Sequence, residues 1–323
     1  MTTTALVPRK RIGAIAALED HAQKAHDFAA NADASATRRA YASDMADFRS
    51  WCEAHGLDAL PALPQTVACY LANLASERTT STLQRRLSAI ARAHREANLD
   101  SPTEHSFVRL EWRGIRRAKG IATAKKAALS VTDLRGMLAT LPDSLLGLRD
   151  RALLLVGFAG GFRRSELVAL TVEDARVASE GVVLTLRRSK TDQEGEGRIV
   201  GIPRGRHTET CPVRALEAWT LAAKVTTGPL LRAVDRHGNV SNEAMSDRTI
   251  ARVVQRAAIA AGLDASAFAG HSLRAGLATS AASAGASERA IMAQTGHKSE
   301  RIMRGYIRLG TVWHENAARA LDL

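Results

Sequence analysis

Two short β-branched runs, set among long stretches of helical periodicity, constrain the fold of this chain more than any other feature. Val182–Leu186 and Arg198–Ile202 have the composition of strands, and the stretch between them, SKTDQEGEG, is rich in turn residues. This pattern predicts one antiparallel hairpin. On both sides of it, apolar residues recur mainly at helical spacing. We therefore predict a mainly α-helical protein with a small antiparallel sheet in its C-terminal part.

Helical periodicity in the N-terminal part predicts a bundle of four or five helices over residues 31–118. Four of these helices are predicted to begin at Ala36, Pro64, Leu83 and Phe107. The third carries leucines on one face and arginines on another, and the fourth is predicted to end at Ile115. His94 lies on the apolar face of the third helix, so we predict that it is a core residue.

Helices also dominate the predicted C-terminal domain, residues 130–323. Outside the hairpin they are predicted to begin near Thr132, Leu148, Phe162, Pro212 and Asp247. Gly160 and Gly161 separate the second of these helices from the third. After Pro212 we predict no further strand, so the remainder of the chain is expected to be helical.

Basic residues are concentrated in the second half of the predicted N-terminal domain and the start of the linker that follows it. The 323 residues include 45 Lys and Arg against 33 Asp and Glu, a formal net charge of +12, and residues 78–126 alone hold 12 basic and 4 acidic side chains. A surplus concentrated in this way favours a nucleic-acid surface over an ordinary solvated one. Residues 119–129 mix small and basic side chains and are predicted to be a basic linker. Residues 1–30 are predicted to be a flexible basic arm.

Cysteine usage and apolar runs point to a cytoplasmic protein. Cys52, Cys69 and Cys211 have no paired spacing, so neither a disulfide framework nor a zinc site is predicted. The N-terminal apolar run Ile12–Leu18 ends at Glu19 and Asp20 without a clear cleavage site, which is unlike a signal peptide. The longest strongly apolar run, residues 152–159, is far shorter than the roughly 20 residues that span a bilayer. We predict no membrane, metal or cofactor.

The segment from Gly270 to Tyr306 has the side chains needed to handle a phosphodiester. Arginines and histidines can hold its non-bridging oxygens, and a tyrosine hydroxyl can attack its phosphorus atom. Taken singly, each such residue is more often an ordinary surface or core residue. The prediction therefore depends on the combination and order of Arg163, Lys190, His271, Arg274, His297 and Tyr306.

These residues occur in motifs that resemble the tyrosine recombinase, or phage integrase, family. The motifs are GFRRSEL around Arg163, SKT around Lys190, GHSLRAG with His271 and Arg274, GHKS with His297 and YIR with Tyr306. The resemblance extends over residues 36–321. The sequence is particularly similar to the Cre-like branch, although Cre has tryptophan where this chain has His297. It implies a SAM-like helical core-binding domain followed by a mixed α+β catalytic domain.

The resemblance implies that Tyr306 attacks the scissile phosphate and forms a 3′-phosphotyrosine bond. Arg163 and Arg274 would hold the phosphate, because guanidinium groups match its oxygens and stay charged. Arg163 is favoured over its neighbour Arg164 because it holds the motif position directly after Gly161 and Phe162, and the next residue on a helix would point about 100° away. No ATP would be needed, because the energy of the broken bond is kept in the protein–DNA bond.

Four further residues receive supporting roles from the resemblance. Lys190 would protonate the departing 5′-oxygen, and His271 would assist proton transfer from the tyrosine. His297 would donate a hydrogen bond to a non-bridging oxygen. Glu166 would orient His271 or an arginine without reacting itself.

The proposed partner is double-stranded DNA with an inverted-repeat target site. Its predicted contacts are the basic residues Arg85, Arg86, Arg92, Arg95, Arg116, Arg117, Lys119 and Lys125. The amphipathic tail, residues 312–321, would either pack on its own domain or dock into a neighbouring protomer. The second case implies a homotetramer that joins two sites through a Holliday junction, with accessory proteins allowed, on the nucleoid of a bacterium or in a phage-infected cell.

Two alternatives remain open at this point. A type IB topoisomerase uses the same chemistry on one duplex and needs no exchanged helix. A DNA-binding regulator could keep the fold without catalysis, but it would have no use for a reactive tyrosine beside two phosphate-binding arginines.

Overall fold

The computed structural model describes residues 18–25, 34–120, 126–187, 197–297 and 299–311. The chain forms two compact units, Met1–Ala124 and Lys125–Leu323. Lys125, Lys190 and the tail after Thr311 lie outside the described residues, as does most of the N-terminal arm. No helix in the described ranges is long and apolar enough to cross a membrane.

The N-terminal unit is a bundle of helices, as predicted. Its helices are α1 (Ser35–Ala54), α2 (Pro64–Ala75), α3 (Thr80–Glu96) and α4 (Ser106–Lys119), and residues 18–25 are also helical. Helix α1 packs on α3 and α2 packs on α4. The Thr79 side chain accepts a hydrogen bond from the Thr82 amide and caps α3. Helix α4 continues past the predicted end at Ile115.

The interior of this unit is apolar and includes one histidine. Fully buried side chains from α1, α2 and α3, such as Phe48, Leu71 and Ile90, form its core. His94 is also fully buried: its Nδ1 donates to the Ile90 carbonyl at 2.8 Å and its Nε2 accepts from the Ala62 amide at 2.9 Å. The prediction that His94 is a core residue is confirmed.

The catalytic-domain prediction of mixed α and β structure is confirmed in the second unit. Its helices are α5 (Val131–Ala139), α6 (Leu145–Gly160), α7 (Arg164–Ala169), α8 (Pro212–Ala222), α9 (Asp247–Ala260), α10 (His271–Ser283), α11 (Glu288–Thr295) and α12 (Glu300–Thr311). Helix α6 is buried around most of its circumference and packs against α8 and α10. Such a helix is central to the domain core.

A three-stranded antiparallel sheet contains the predicted hairpin. Its strands are β1 (Ala175–Val177), β2 (Gly181–Leu186) and β3 (Arg198–Pro203), in the order β1-β2-β3. Leu184 pairs with Val200 and Leu186 pairs with Arg198. Alternate residues of β2 and β3 are buried against the core, which is the period expected of a sheet with one covered face.

The prediction of an entirely helical chain after Pro212 is wrong. Strands β4 (Arg232–Val234) and β5 (Val240–Ala244) form a second antiparallel pair. Their turn is organised by Asp235, whose Oδ1 accepts from the backbone amides of His237 and Asn239, and by Gly238 at φ 86°. The strands are short and largely polar, so their composition gives little β signal.

Candidate active site

A break between two helices places Arg163. Helix α6 ends at Gly160, and Gly161 adopts the left-handed conformation at φ 59°. A Cβ atom at Gly161 would lie 2.7 Å from a Leu277 methyl group, so the turn also needs glycine for space. Helix α7 then starts after Arg163, and the Arg163 amide donates to Glu166 Oε2 at 2.8 Å. The turn therefore fixes both ends of the Arg163–Glu166 pair.

Glu166 is the shared acceptor of two arginines. Its side chain is 1% exposed. Its Oε1 accepts from Arg163 Nη1 at 2.5 Å, and its Oε2 accepts from Arg198 Nη2 at 3.2 Å. Glu166 was expected to orient either His271 or an arginine. The structure shows that it contacts two arginines.

Arg198 was not among the predicted site residues. It is the first residue of β3, and it also donates to the Gln294 carbonyl at 2.5 Å. Burial lowers the pKa of Arg198 in spite of Glu166. A signal was present in the sequence: Arg198 shares its strand face with Val200 and Ile202, and an arginine on an inward face needs a buried partner.

The neighbouring Arg164 points elsewhere. Its Nη2 lies 3.7 Å from Asp247 Oδ2, and its side chain is substantially exposed. Its aliphatic part covers Gly270, where a Cβ atom would approach the Arg164 Cδ to 2.5 Å. Arg163 therefore lies in the cluster and Arg164 lies outside it.

Arg274 is buried with an unused donor. The residue is 1% exposed, and its Nη1 donates to the carbonyls of Gly161, at 2.7 Å, and Thr295. Within the described ranges, the buried Nη2 has no hydrogen-bond acceptor. Burial and the nearby Arg163 lower the pKa of Arg274 to about 10, so it stays protonated at neutral pH. A buried cation with an unused N–H group is suited to hold an anion.

Tyr306 is held next to His271 by close packing of α12 on α10. Met303 of α12 is fully buried against the small residues Ala278 and Ala282 of α10, which let the two helices approach. The Tyr306 hydroxyl lies 2.8 Å from His271 Nε2. Burial raises the pKa of Tyr306 above its ordinary value, although Arg274 opposes this. The tyrosine is therefore a phenol at neutral pH, and it needs a base such as His271 to become a nucleophile.

His297 completes the cluster. Its Nδ1 lies 2.8 Å from the Thr295 hydroxyl, and its ring centroid is 5.8 Å from that of Tyr306. Burial, followed by the positive charge of Arg274, lowers the pKa of His297 to about 3. The ring is therefore neutral at physiological pH. Of the seven predicted catalytic residues, all except Lys190, which is not described, lie in this cluster.

The predicted DNA contacts on α3 fall into two groups. Arg85 makes a bidentate ion pair with Asp44, at 2.7 and 2.9 Å. Arg86 is 7% exposed and donates to Asp47 and to the Tyr70 hydroxyl. This burial argues against the DNA contact predicted for Arg86. Its position on the flank of α3 had suggested an outward direction, but α1 and α2 cover that flank.

The other α3 arginines line a groove against α1. Two adjoining cavities of about 540 and 370 Å³ share Tyr41 and Arg92, and Arg95 lines the first. The Arg92 guanidinium lies 5.8 Å from the Tyr41 ring centroid and donates to Glu96 at 2.6 Å. The second cavity is lined by Arg38 and Arg49 of α1, which were not among the predicted DNA contacts. The groove therefore collects arginines from both helices.

The last turn of α4 holds three of the predicted contacts. Arg116, Arg117 and Lys119 are exposed there, and the Lys119 amine donates to the Ala75 carbonyl at the end of α2. Basic side chains are favourable at a helix C-terminus because they offset its partial negative charge. Lys119, the first residue of the predicted linker, is therefore the last residue of the helix.

Comparison with known proteins agrees with this geometry. The family described as the phage integrase family matches residues 128–311. An integrase/recombinase xerD homolog from Selenomonas ruminantium is 41% identical over 286 residues, which cover 87% of this chain and 84% of the relative. The chain belongs to the phage integrase family of tyrosine recombinases.

Two further comparisons place this tyrosine recombinase more finely. The recombinase Cre from Escherichia phage P1 is 26% identical over 279 residues, covering 80% of each chain. Cre is therefore one relative, and the Selenomonas protein is more similar. The crystal structure of a lambda integrase tetramer bound to a Holliday junction has a TM-score of 0.58 at 19% identity, covering 90% of this chain and 76% of that one. At this identity the match shows the fold alone.

Proposed function

We propose that this tyrosine recombinase is a site-specific DNA recombinase that cuts and rejoins strands through a covalent 3′-phosphotyrosine. The observation that carries the proposal is the Tyr306 hydroxyl, 2.8 Å from a histidine nitrogen and beside guanidinium groups that Glu166 does not fully neutralise. A phenol in this setting has a base on one side and an anion site on the other.

We infer the reaction from the arrangement of the described groups, with the role of Lys190 taken from the family resemblance. Arg163 and Arg274 hold the non-bridging oxygens of the scissile phosphate while His271 accepts the Tyr306 proton. A bond forms between the tyrosine oxygen and phosphorus, and the bond from phosphorus to the 5′-oxygen breaks. Lys190 supplies a proton to that oxygen. Attack by a 5′-hydroxyl of another strand reverses these steps, so the number of phosphoester bonds stays constant and no ATP is used.

The charge of the cluster suits this reaction. Three guanidinium groups, those of Arg163, Arg198 and Arg274, face the single carboxylate of Glu166, which leaves two positive charges. A phosphodiester brings one negative charge, and a second develops as the tyrosine oxygen attacks. The surplus therefore stabilises the transition state more than the bound substrate, which is the requirement for catalysis. The described residues hold no group of three or more His, Cys, Asp or Glu side chains that could bind a metal ion.

We infer that the N-terminal unit binds duplex DNA through the groove between α1 and α3 and the last turn of α4. Arginines from both helices line the groove, and Arg95, Arg116 and Arg117 are exposed. Lys119 would contact phosphates beside them, and Lys125, which is not described, is assigned the same role from the sequence alone. Arg85 would contact a phosphate only by sharing its charge with Asp44. Contacts of this kind make affinity fall steeply with salt concentration.

We also propose the assembly that the resemblance implied. Four protomers would bind two inverted-repeat sites and pass through a Holliday junction, linked by the tail at residues 312–321, on the nucleoid of the host cell. The shared fold with a lambda integrase tetramer on a Holliday junction supports this proposal. A closed ring of identical contacts is the usual way for such a tail to link four copies.

Selection from random DNA tests the function. The full chain is mixed with a pool of random duplexes, and DNA that stays attached after denaturation is sequenced. We expect an inverted repeat to be enriched by the wild-type chain and nothing to be retained by Tyr306→Phe. Recovery of DNA without sequence preference, together with relaxation of supercoiled plasmid, would instead indicate a topoisomerase. Retention by Tyr306→Phe would contradict the proposed nucleophile.

A further inference from the structure

Thr295 contacts two members of the catalytic cluster without being one of them. It is the last residue of α11 and is 0% exposed. Its carbonyl accepts from Arg274 Nη1, and its hydroxyl oxygen lies 2.8 Å from His297 Nδ1. The same hydroxyl donates to the Ile291 carbonyl at 2.7 Å. One buried side chain therefore joins the helix end to the histidine ring.

Counting protons decides the direction of the bond to His297. A threonine hydroxyl has a single proton, and a carbonyl oxygen can only accept. Because the Thr295 hydroxyl uses its proton to donate to the Ile291 carbonyl, its oxygen can only accept from His297. His297 Nδ1 must therefore donate to the Thr295 oxygen. A neutral imidazole carries one N–H group. With that group on Nδ1, Nε2 carries a lone pair.

We propose that Thr295 is a positioning residue that fixes the His297 ring with its proton on Nδ1 and a lone pair on Nε2. The role expected from the resemblance, in which His297 donates to a phosphate oxygen, then requires a second proton on Nε2. Burial, followed by the positive charges of Arg274 and Arg163, opposes that proton in the DNA-free protein. A bound phosphodiester offsets one of the two surplus positive charges, and the charge that develops as Tyr306 attacks offsets the other, so both make the second proton easier to hold. His297 thus changes from acceptor to donor as the phosphate binds and reacts.

The surroundings of Thr295 separate its hydroxyl from its methyl group. The methyl carbon lies 3.0 Å from the position that a Cβ atom on Gly161 would take, so it packs against the turn before Arg163. Thr295→Val keeps the volume and removes the hydroxyl. Thr295→Ser keeps the hydroxyl and removes the methyl group. The two variants therefore test hydrogen bonding and packing independently.

The first measurement needs no DNA. The full chain is labelled with ¹⁵N-histidine, and the His297 signals are assigned by their loss in His297→Gln. At neutral pH we expect a proton on Nδ1 and none on Nε2 in the wild type and in Thr295→Ser. In Thr295→Val the population should move toward the other tautomer, because Nδ1 loses its acceptor. An unchanged tautomer in Thr295→Val would overturn the proposal.

The second measurement is cleavage under single-turnover conditions on the selected DNA, and it rests on the proposed function. We expect Thr295→Val to form the covalent adduct about tenfold more slowly, at the low end of losses seen when a supporting hydrogen bond is removed. DNA affinity should be unchanged, and Thr295→Ser should keep the wild-type rate. If Thr295→Ser is as slow as Thr295→Val, packing is responsible and the proposal fails. If the wild type itself forms no adduct, the proposed function fails, while the tautomer measurement still decides the role of Thr295.

Discussion

Two clusters of arginine, carboxylate and tyrosine, one in each unit and both at least partly buried, differ in how completely their charges are matched. In the N-terminal unit, Asp44 and Asp47 face Arg85 and Arg86. Tyr70 donates to Asp47 at 2.5 Å, and burial together with this carboxylate raises the pKa of Tyr70. Two carboxylates against two guanidinium groups leave no net charge.

The cluster around Glu166 and Tyr306 in the second unit contains the same residue types in a different ratio. Glu166 alone faces three arginines, and the buried Arg274 Nη2 has no acceptor in the described part of the chain. Tyr306 contacts a histidine where Tyr70 contacts an aspartate. The first cluster can only stabilise its fold, whereas the second leaves positive charge and a donor for an anion. The ratio of carboxylate to arginine, rather than burial, therefore distinguishes the cluster that only stabilises the fold from the cluster that can bind an anion.

Replacing each tyrosine singly by phenylalanine should give the largest difference in cleavage between the two clusters. Tyr306→Phe removes the nucleophile, so covalent adduct should fall by about 10⁴-fold or more, with DNA binding retained. Tyr70→Phe should keep the cleavage rate of the folded protein and lower only the free energy of unfolding, by about 2 kcal/mol for the two hydrogen bonds, to Asp47 and from Arg86, that are lost. Denaturing gels and urea titration measure the two effects. Loss of chemistry in Tyr70→Phe would break the comparison.

Removing the cation with the unused donor should have the next largest effect. Arg274→Ala should lower the single-turnover cleavage rate by about 10²- to 10³-fold, as for loss of one donor to a developing oxyanion. The matched control is Arg256→Ala, which removes a largely exposed guanidinium that pairs with the buried Asp150. Equal cleavage losses in both variants would mean that Arg274 acts through stability alone.

Arg198→Gln tests whether the surplus positive charge of the cluster is needed for cleavage. It removes one of the surplus positive charges and leaves Glu166 to Arg163 alone, so we expect cleavage to slow by about 10²-fold. Arg187→Gln is its control, because Arg187 directly follows the paired strand β2, is mostly exposed and pairs with Asp174. Single-turnover rates with saturating DNA measure both. A rate near that of the wild type in Arg198→Gln would show that the surplus charge is unnecessary.

Acid should weaken the matched cluster. Burial raises the pKa of Asp47, but hydrogen bonds from Arg86 and Tyr70 outweigh it and hold the pKa below its ordinary value. A carboxylate with a depressed pKa contributes stability above its unfolded pKa, near 4, and this is lost as pH falls through the folded pKa. Asp47→Asn should therefore be less stable at pH 7 by about 1 kcal/mol, because Asp47 is partly exposed. The difference from the wild type in urea denaturation should shrink toward pH 3.

Motifs and caps were readable from sequence because they depend on neighbouring residues. Ser246 before α9, the glycines after α6 and the alternation in β2 and β3 act within a few positions of each other. The tyrosine recombinase fold also followed from the order of its motifs. These signals need no knowledge of which helices meet.

Residues whose role depends on distant partners were not predicted. The burial of Arg86 depends on Asp47 and Tyr70, which come from two other helices. Arg198 gains its place from Glu166 and Gln294, at the ends of two helices far apart in sequence. Neither arginine has its partner nearby in the sequence, and the charge and helix position of Arg86 suggested a DNA contact.

The contact between Tyr306 and His271 lies within one chain, so each subunit brings its own nucleophile and its own base. In the proposed assembly, cleavage would therefore occur in cis, with the nucleophile and the base of one protomer acting on the same strand. In an assembly that mixes wild-type and Tyr306→Phe subunits, each Tyr306→Phe subunit would leave only the strand bound to it uncut. The number of strands cut per complex would therefore equal the number of wild-type subunits. Because no tyrosine is exchanged between protomers, inactivating one subunit would require a conformational signal from its neighbour.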